Sequence, residues 1–282
     1  MIHVIDPELE ANYNIVAARG GVDEVMQRWA AASTRVREQT DASLDCAYGE
    51  HERERIDVFR CGVENAPLYV YLHGGYWQRG DKSLYSFIAP PFLAAGVDVA
   101  IIGYPLCPQV SMTELLDSVR RAIAWLYLNA AGLGINRDRL NLSGHSAGGH
   151  LTAMAVCTDW PAYDAHLPEN LLKTAIPFSG LYQLEPLLQT SISDALHLDA
   201  AEVENLSPLV LQPARSLPLL AILGAAETDE FFRQTRALVE AWTPRLSNVD
   251  EHVEPDVDHI DLIDRLAQSD SEIFKRIRDW MR

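Results

Sequence analysis

The sequence is poor in the features that mark several large functional classes. Cysteine is scarce: Cys46, Cys61, Cys107 and Cys157 are the four in 282 residues, and no two form a CxxC pair. That spacing excludes a zinc finger and makes a disulfide framework unexpected in so long a chain. A reducing, cytoplasmic setting is therefore expected. Basic side chains are outnumbered, 23 Lys and Arg against 40 Asp and Glu, for a formal net charge of −17. Nucleic acid and anionic membrane surfaces both require a basic patch, and neither is expected as a partner. No apolar run approaches the roughly 18 residues that a bilayer span requires. The opening MIHVIDPELEANYN carries acids where a secretory signal carries a basic end and an apolar core. Internal repeats, low-complexity stretches and Pro/Gly/Ser-rich linkers are missing as well, so residues 1–282 read as one domain.

What is present is periodic order. Residues 1–40 read as a helical N-terminal segment, placed to act as a lid, with VDEVMQRWAAASTRVREQ spacing its apolar residues by three and four. The period then changes. LDCAYG and ERIDVFRC alternate like half-buried strands on either side of the polar turn EHER. PLYVYLH, VDVAIIGY, RLNLSG, TAIPFSG and LPLLAILG are continuous apolar runs, most ending in glycine, and a last strand contains His252. Helical stretches lie between them. TELLDSVRRAIAWLYLNAA is the clearest, with Leu115, Val119, Ala122, Ile123 and Leu126 on one face. Fully apolar strands alternating with helices predict an α/β fold: a mostly parallel, eight-stranded sheet with helices on both faces and an antiparallel edge. Ligands of such sheets sit at the C-terminal strand ends.

The stretch LNLSGHSAGGHL crowds glycines around a serine at the end of a predicted strand and the start of a predicted helix. G-H-S-A-G in that setting is the pattern of a nucleophile elbow, a turn so tight that the serine is strained and lifted clear of the sheet. A Cβ at Gly144 or Gly148 would collide with the neighbouring strand or helix, while His145 fills the variable position before Ser146. The chemistry then requires a base, an acid that orients it, and donors for an oxyanion. Chain order in this fold is serine, acid, histidine. His150 lies on the elbow helix as a packing residue, His166 and His197 lie in polar loops, and His252 is inside a strand. His259, in PDVDHIDLIDRLA, falls in a loop after the last strand and is the expected base. The loop GAAETDEFFRQ offers Glu227, Asp229 and Glu230. Glu227 comes first after its strand and is the expected acid, with Asp229 the alternative. The others cap the next helix.

Oxyanion donors are expected from YLHGGYWQRGDKS, where glycines leave backbone N–H groups unscreened. Gly75 and Tyr76 are the expected donors, joined by the N–H of Ala147 after the nucleophile. Gly74 shapes the turn, and His73 holds the loop by hydrogen bonding. Tyr76 and Trp77 are placed to crowd the acyl pocket and hold an aryl group, with Gly74 also at the pocket and Trp160 as a further wall. No metal-ligand spacing is present, and no cofactor is called for.

HGGYWQ, GHSAGGHL, the ETDEFFRQ loop and DHIDLI resemble the kynurenine formamidase (arylformamidase) branch of the α/β-hydrolase fold. The resemblance extends to Tyr13 and Asn14, to YGEHERERIDVFR, to Asp159 and Trp160 and to SGLYQLEPL, so it covers nearly the whole chain. HGGYW is its discriminating feature, because related esterases usually carry a third glycine where Tyr76 stands. The family's acid is usually aspartate; here its position is Glu227. The resemblance implies a serine hydrolase acting on a small-molecule aryl amide or ester, with an aryl formamide such as N-formylkynurenine as the expected substrate. A carboxylesterase for short acyl esters is the alternative, and a small-molecule receptor on a hydrolase scaffold the third reading. A homodimer is allowed for.

Overall fold

The computed structural model describes residues 5–281. Eight strands lie in it: β1 (Ala42–Ala47), β2 (Arg55–Phe59), β3 (Leu68–Leu72), β4 (Asp98–Ile102), β5 (Leu140–His145), β6 (Leu172–Phe178), β7 (Pro218–Gly224) and β8 (Asn248–Glu254). They form one sheet in the order β1-β2-β4-β3-β5-β6-β7-β8. β2 is antiparallel to both β1 and β4, and every other neighbouring pair is parallel. In β3, β4 and β5 every residue is buried. Successive side chains of a strand point to opposite faces, so the middle of the sheet is covered on both. That explains why these strands read as unbroken apolar runs, whereas the edge strands β1 and β8 are half exposed.

The helices form where the sequence places them. The helix Met112–Leu128 starts at a capping box in which Ser111 and Glu114 satisfy each other's backbone N–H groups. Leu115, Val119, Ala122, Ile123 and Leu126 are all buried, as their spacing predicts. The N-terminal segment departs from a single helical block. It breaks into α1 (Pro7–Tyr13), α2 (Ile15–Arg19) and α3 (Val22–Gln39). The second break has a clear cause: Gly20 and Gly21 sit at φ +68° and +63°, left-handed backbone that glycine adopts without steric penalty. α3 is then fastened to the body. Arg37 pairs with the fully buried Asp57, which also accepts from Lys82 Nζ at 2.7 Å, and Ser33 donates to the Leu84 carbonyl at 2.8 Å. α1 is tied by Asp6 N–H to the Gln189 carbonyl and by Glu10 to Ser191.

β3 and β5 are direct neighbours, followed outward by β6, β7 and β8. All five run the same way. The loops that leave their C-terminal ends therefore lie side by side, and these loops carry the glycine-rich motifs.

Candidate active site

Ser146 occupies the turn between β5 and the helix Ala147–Val156, at φ 57° and ψ −116°. A β-bearing residue reaches that conformation only under strain. The surroundings fix it from both sides: the Ser146 N–H donates to the Phe178 carbonyl at 2.8 Å, and its carbonyl accepts from His150 N at 3.0 Å. The glycines permit the close approach. A Cβ on Gly144 would fall 2.3 Å from the Gly148 carbonyl oxygen, and one on Gly148 would fall 2.0 Å from that of Leu72.

Glu227 and His259 meet across the ends of β7 and β8. His259 Nδ1–H donates to Glu227 Oε2 at 2.7 Å, with both side chains almost fully buried. The other carboxylate oxygen accepts from the Ser179 hydroxyl at 2.5 Å and from the Gly224 N–H at 2.8 Å. Three donors, from the loops after β6 and β8 and from the end of β7, hold this carboxylate in one orientation. Asp229 is the first residue of the helix Asp229–Trp242, and Glu230, beside it, pairs with Arg233 and Tyr13. The geometry thus brings Glu227, and not Asp229, to the histidine. The His259 ring is packed between Phe231, 4.4 Å away between centroids, and His145, 4.3 Å away. Among the described residues no hydrogen bond joins Ser146 Oγ to His259, but both line one cavity of about 250 Å³. Catalytic hydrogen bonds of unliganded sites often close only when substrate binds.

The loop after β3 forms the opposite wall. Gly75, Tyr76 and Trp77 have φ of 122°, 51° and 60° in succession, and a Cβ on Gly75 would lie 2.1 Å from the Arg79 carbonyl oxygen. Gly74 is required for approach: its Cβ would sit 3.0 Å from the His145 carbonyl oxygen and 3.2 Å from Ser146 Cβ. The N–H groups of Gly75, Tyr76 and Ala147 have no hydrogen-bond partner among the described residues, and Ala147 opens a helix, where N–H groups point outward. His73 holds this loop from beneath. Its Nδ1–H donates to the Gly74 carbonyl at 2.8 Å, and its ring stacks on Tyr104 at 4.2 Å. Burial pushes the His73 imidazole down to about 4, the Gly74 carbonyl opposing only part of the shift, so the ring is neutral at pH 7.

Two expected pocket residues lie elsewhere. Trp77 is fully buried and absent from the cavity wall. Its indole N–H donates to His150 Nδ1 at 3.2 Å, and His150 Nε2–H in turn donates to the Leu206 carbonyl at 2.7 Å. Trp77 therefore braces the loop instead of meeting a ligand. Trp160 lines a different depression with Thr158, Leu172 and Arg215, beside the N-terminal end of β6, so it is removed from the serine. Of the two loop aromatics only Tyr76 faces the cavity, and its hydroxyl donates to the Tyr13 carbonyl.

The remaining wall comes from residues the motifs did not reveal. Ile15, Val16, Val22, Met26 and Trp29 of the N-terminal segment and Leu84 and Tyr85 make the cavity chiefly apolar. Arg19 anchors this segment beside the histidine, pairing with Asp258 at 2.5 Å and Asp261 at 2.6 Å. Burial opposes the Asp258 charge, but the Asp261 N–H and Arg19 outweigh it and hold the carboxyl below its usual range. Trp29 Nε1–H reaches Asp264 at 2.6 Å. Among the described residues no group of three or more His, Cys, Asp or Glu is placed to hold a metal ion, and no helix is long and apolar enough to cross a membrane.

The sheet order, the elbow and the ordered succession of strand-end loops define an α/β-hydrolase, and comparison with known proteins agrees. The family model BD-FAE matches residues 57–211. A solved structure from Silicibacter sp. tm1040, described as a candidate thioesterase, superposes with a TM-score of 0.84 at 33% identity, over 96% of this chain and 98% of that one. A Pyrobaculum calidifontis esterase shares the fold alone, at 17% identity and a TM-score of 0.69 over 98% of each chain. The kynurenine formamidase of Danio rerio is 30% identical over 95% of this chain and 94% of its own length, and that of Salmo salar 32% identical over 93% and 91%. The chain belongs to the kynurenine formamidase family, and with it to the α/β-hydrolases that cleave amides and esters.

Proposed function

We propose that the protein is a serine hydrolase that cleaves an aryl formamide such as N-formylkynurenine through an acyl-enzyme. The observation that carries this reading is the 2.7 Å bond from His259 to a fully buried, triply held Glu227, with His259 and Ser146 on one cavity wall. His259 Nε2 takes the proton of Ser146 as the hydroxyl oxygen attacks the carbonyl carbon. Glu227 keeps the imidazole in the tautomer whose Nε2 is basic, and stabilises the imidazolium that follows. The N–H groups of Gly75, Tyr76 and Ala147 receive the oxyanion. His259 then returns the proton to the leaving aniline nitrogen, the C–N bond breaks, and water attacks the ester in a second round that frees formate and Ser146. The acyl group is small, and the apolar cavity beyond it suits an aromatic leaving group.

The test is a comparison of kcat/KM for N-formylkynurenine and p-nitrophenyl acetate, with Ser146→Ala as control. A formamide preference of about a hundredfold, worth about 2.7 kcal/mol of transition-state binding, supports the arylformamidase. A preference for the ester would make the same residues a carboxylesterase. Turnover that survives Ser146→Ala would overturn the serine mechanism.

A further inference from the structure

Trp29, Tyr76 and Tyr85 each bring an aromatic ring with an N–H or O–H to the wall of the catalytic cavity. Two of them spend that group on the protein: the Trp29 indole donates to Asp264, and the Tyr76 hydroxyl to the Tyr13 carbonyl. The Tyr85 hydroxyl makes no hydrogen bond among the described residues. The residue is 5% exposed, yet its oxygen is not among the unpartnered polar atoms sealed in the interior. The small open part of Tyr85 therefore includes the hydroxyl, and the space it opens on is the cavity. Tyr71, whose ring centroid is 5.5 Å away, makes the contrast. Its hydroxyl also lacks a partner, but it is fully enclosed, so no ligand reaches it.

Tyr85 is held in place without that hydroxyl. It lies in the short helix Lys82–Ile88, which α3 clamps on both sides of it. Ser33 Oγ accepts from the Phe87 N–H at 3.0 Å and donates to the Leu84 carbonyl at 2.8 Å. The Tyr85 ring packs against His73 and Trp29 at centroid distances of 5.8 Å and 5.7 Å, contacts that a phenylalanine would make equally well. His73 precedes Gly74, whose added Cβ would lie 3.2 Å from Ser146 Cβ, so Tyr85 stands on the side of the cavity that carries the oxyanion loop. Burial pushes its phenol above the ordinary value, so the group stays protonated and able to donate. A ligand that fills this part of the cavity displaces water from the hydroxyl. If it offers only hydrocarbon there, the O–H is left without a partner. That penalty selects among ligands of the same shape.

We propose that Tyr85 is a specificity-determining residue of this site, donating a hydrogen bond to a neutral acceptor, such as a carbonyl, carried by the aromatic leaving group. In the proposed reaction the acyl part is a formyl group, whose oxygen goes to the oxyanion donors, so the acceptor belongs to the leaving group. The inference rests on the proposed function only in taking this cavity as the substrate site. It assigns selectivity to a residue outside the elbow, the oxyanion loop and the loops of the acid and the base.

The test is direct titration, which needs no turnover and so stands whatever the formamide assay gives. Two amines of the leaving-group type are compared. 2-Aminoacetophenone carries a carbonyl beside the amine, and 2-isopropylaniline carries hydrocarbon of similar shape in its place. Each is titrated into the wild type and Tyr85→Phe, and the two affinities are read as a ratio within the same protein. Tyr85→Phe should lower the ratio in favour of the acetophenone by about fivefold or more, by weakening the acetophenone alone. A merely structural role is read separately, by thermal unfolding without ligand. Tyr85→Phe should unfold at the wild-type temperature or above it, because the lost hydroxyl bonds nothing in the protein. Tyr76→Phe, which loses the bond to the Tyr13 carbonyl, should unfold lower. An unchanged ratio, equal weakening of both ligands, no binding of either to the wild type, or a Tyr85→Phe protein that unfolds well below wild type would each overturn the proposal.

Discussion

His259 and Glu227 are 32 residues apart in the chain, yet the imidazole Nδ1 and a carboxylate oxygen are 2.7 Å apart in the fold. The pair is made by strand order. β7 and β8 are parallel neighbours with Gly224 opposite Glu254, so the loops leaving them must meet. The Glu227 carboxylate is buried and accepts from Ser179, Gly224 and His259.

Glu227→Gln tests the tautomer directly. The amide has the same shape but cannot stabilise an imidazolium, and its NH₂ group can face Nδ1 and select the wrong tautomer. kcat should fall by about 10³- to 10⁴-fold with KM little changed. Asp229→Asn, at the first position of the following helix, should change kcat by less than about threefold and cost about 0.5 kcal/mol of stability. Equal losses in the two variants would contradict the assignment.

The glycines around the elbow provide a matched contrast. Gly148→Ala brings a Cβ to 2.0 Å from the Leu72 carbonyl oxygen, and only backbone can yield. A loss of about 3 kcal/mol or more is expected in urea unfolding. Gly132, in the short helix Ala130–Leu133, has nothing within 4 Å of the same added carbon, so Gly132→Ala should gain about 0.5 kcal/mol through its helix propensity. Similar values for both would mean that the close approach of elbow and β3 is not tight.

Arg19 connects the N-terminal segment to the loop carrying the histidine, through Asp258 and Asp261. Arg19 and Asp258 are each less than a third exposed, so the pair should be worth more than an open surface bridge, about 1 kcal/mol in a double-mutant cycle of Arg19→Gln and Asp258→Asn. Loosening that loop should lower kcat/KM severalfold and make it less sensitive to salt, because the ion pair that salt screens is gone, while Ser146 keeps its reactivity toward a small phosphonate probe. A zero coupling energy would reduce the clamp to a passive contact.

The readable part of this molecule was the part governed by local rules. Period separates strand from helix, glycine marks the elbow, and Glu227 stands out as the first acid beyond β7 because the helix starts only at Asp229. What was not readable depends on direction and on distant neighbours. Tyr76 and Trp77 are adjacent and both aromatic, but the left-handed backbone of the loop sends one to the cavity and the other to His150. Trp160 carries no cue that it sits at the far end of β6. Ser179 looks like any strand-end serine until β6 and β7 are neighbours and its φ of 44° is known. The apolar face of α3 is evident from spacing, but not that Met26 and Trp29 line the cavity that Ser146 lines.

Three buried histidines respond to acid, and burial pushes His145 well below the ordinary imidazole range. Burial lowers both His73 and His150 from 6.5 to about 4, opposed only in part by hydrogen bonds to the Gly74 and Leu206 carbonyls. Each is neutral in the folded protein over a range in which the unfolded chain is protonated. The unfolded state therefore binds more protons below about pH 6.5, and stability must fall as pH drops from there toward about 4. Each histidine contributes a slope of up to about 1.4 kcal/mol per pH unit in that window. His150→Gln isolates one of them. The amide can still donate to the Leu206 carbonyl and accept from Trp77 Nε1, so the variant should fold, with about 1 to 2 kcal/mol lost at neutral pH. Its stability curve, from urea unfolding at a series of pH values, should be shallower than wild type by about one proton between pH 6.5 and 4. Parallel curves would show that His150 is protonated in the fold and that the Trp77–His150–Leu206 relay is arranged with the opposite proton inventory.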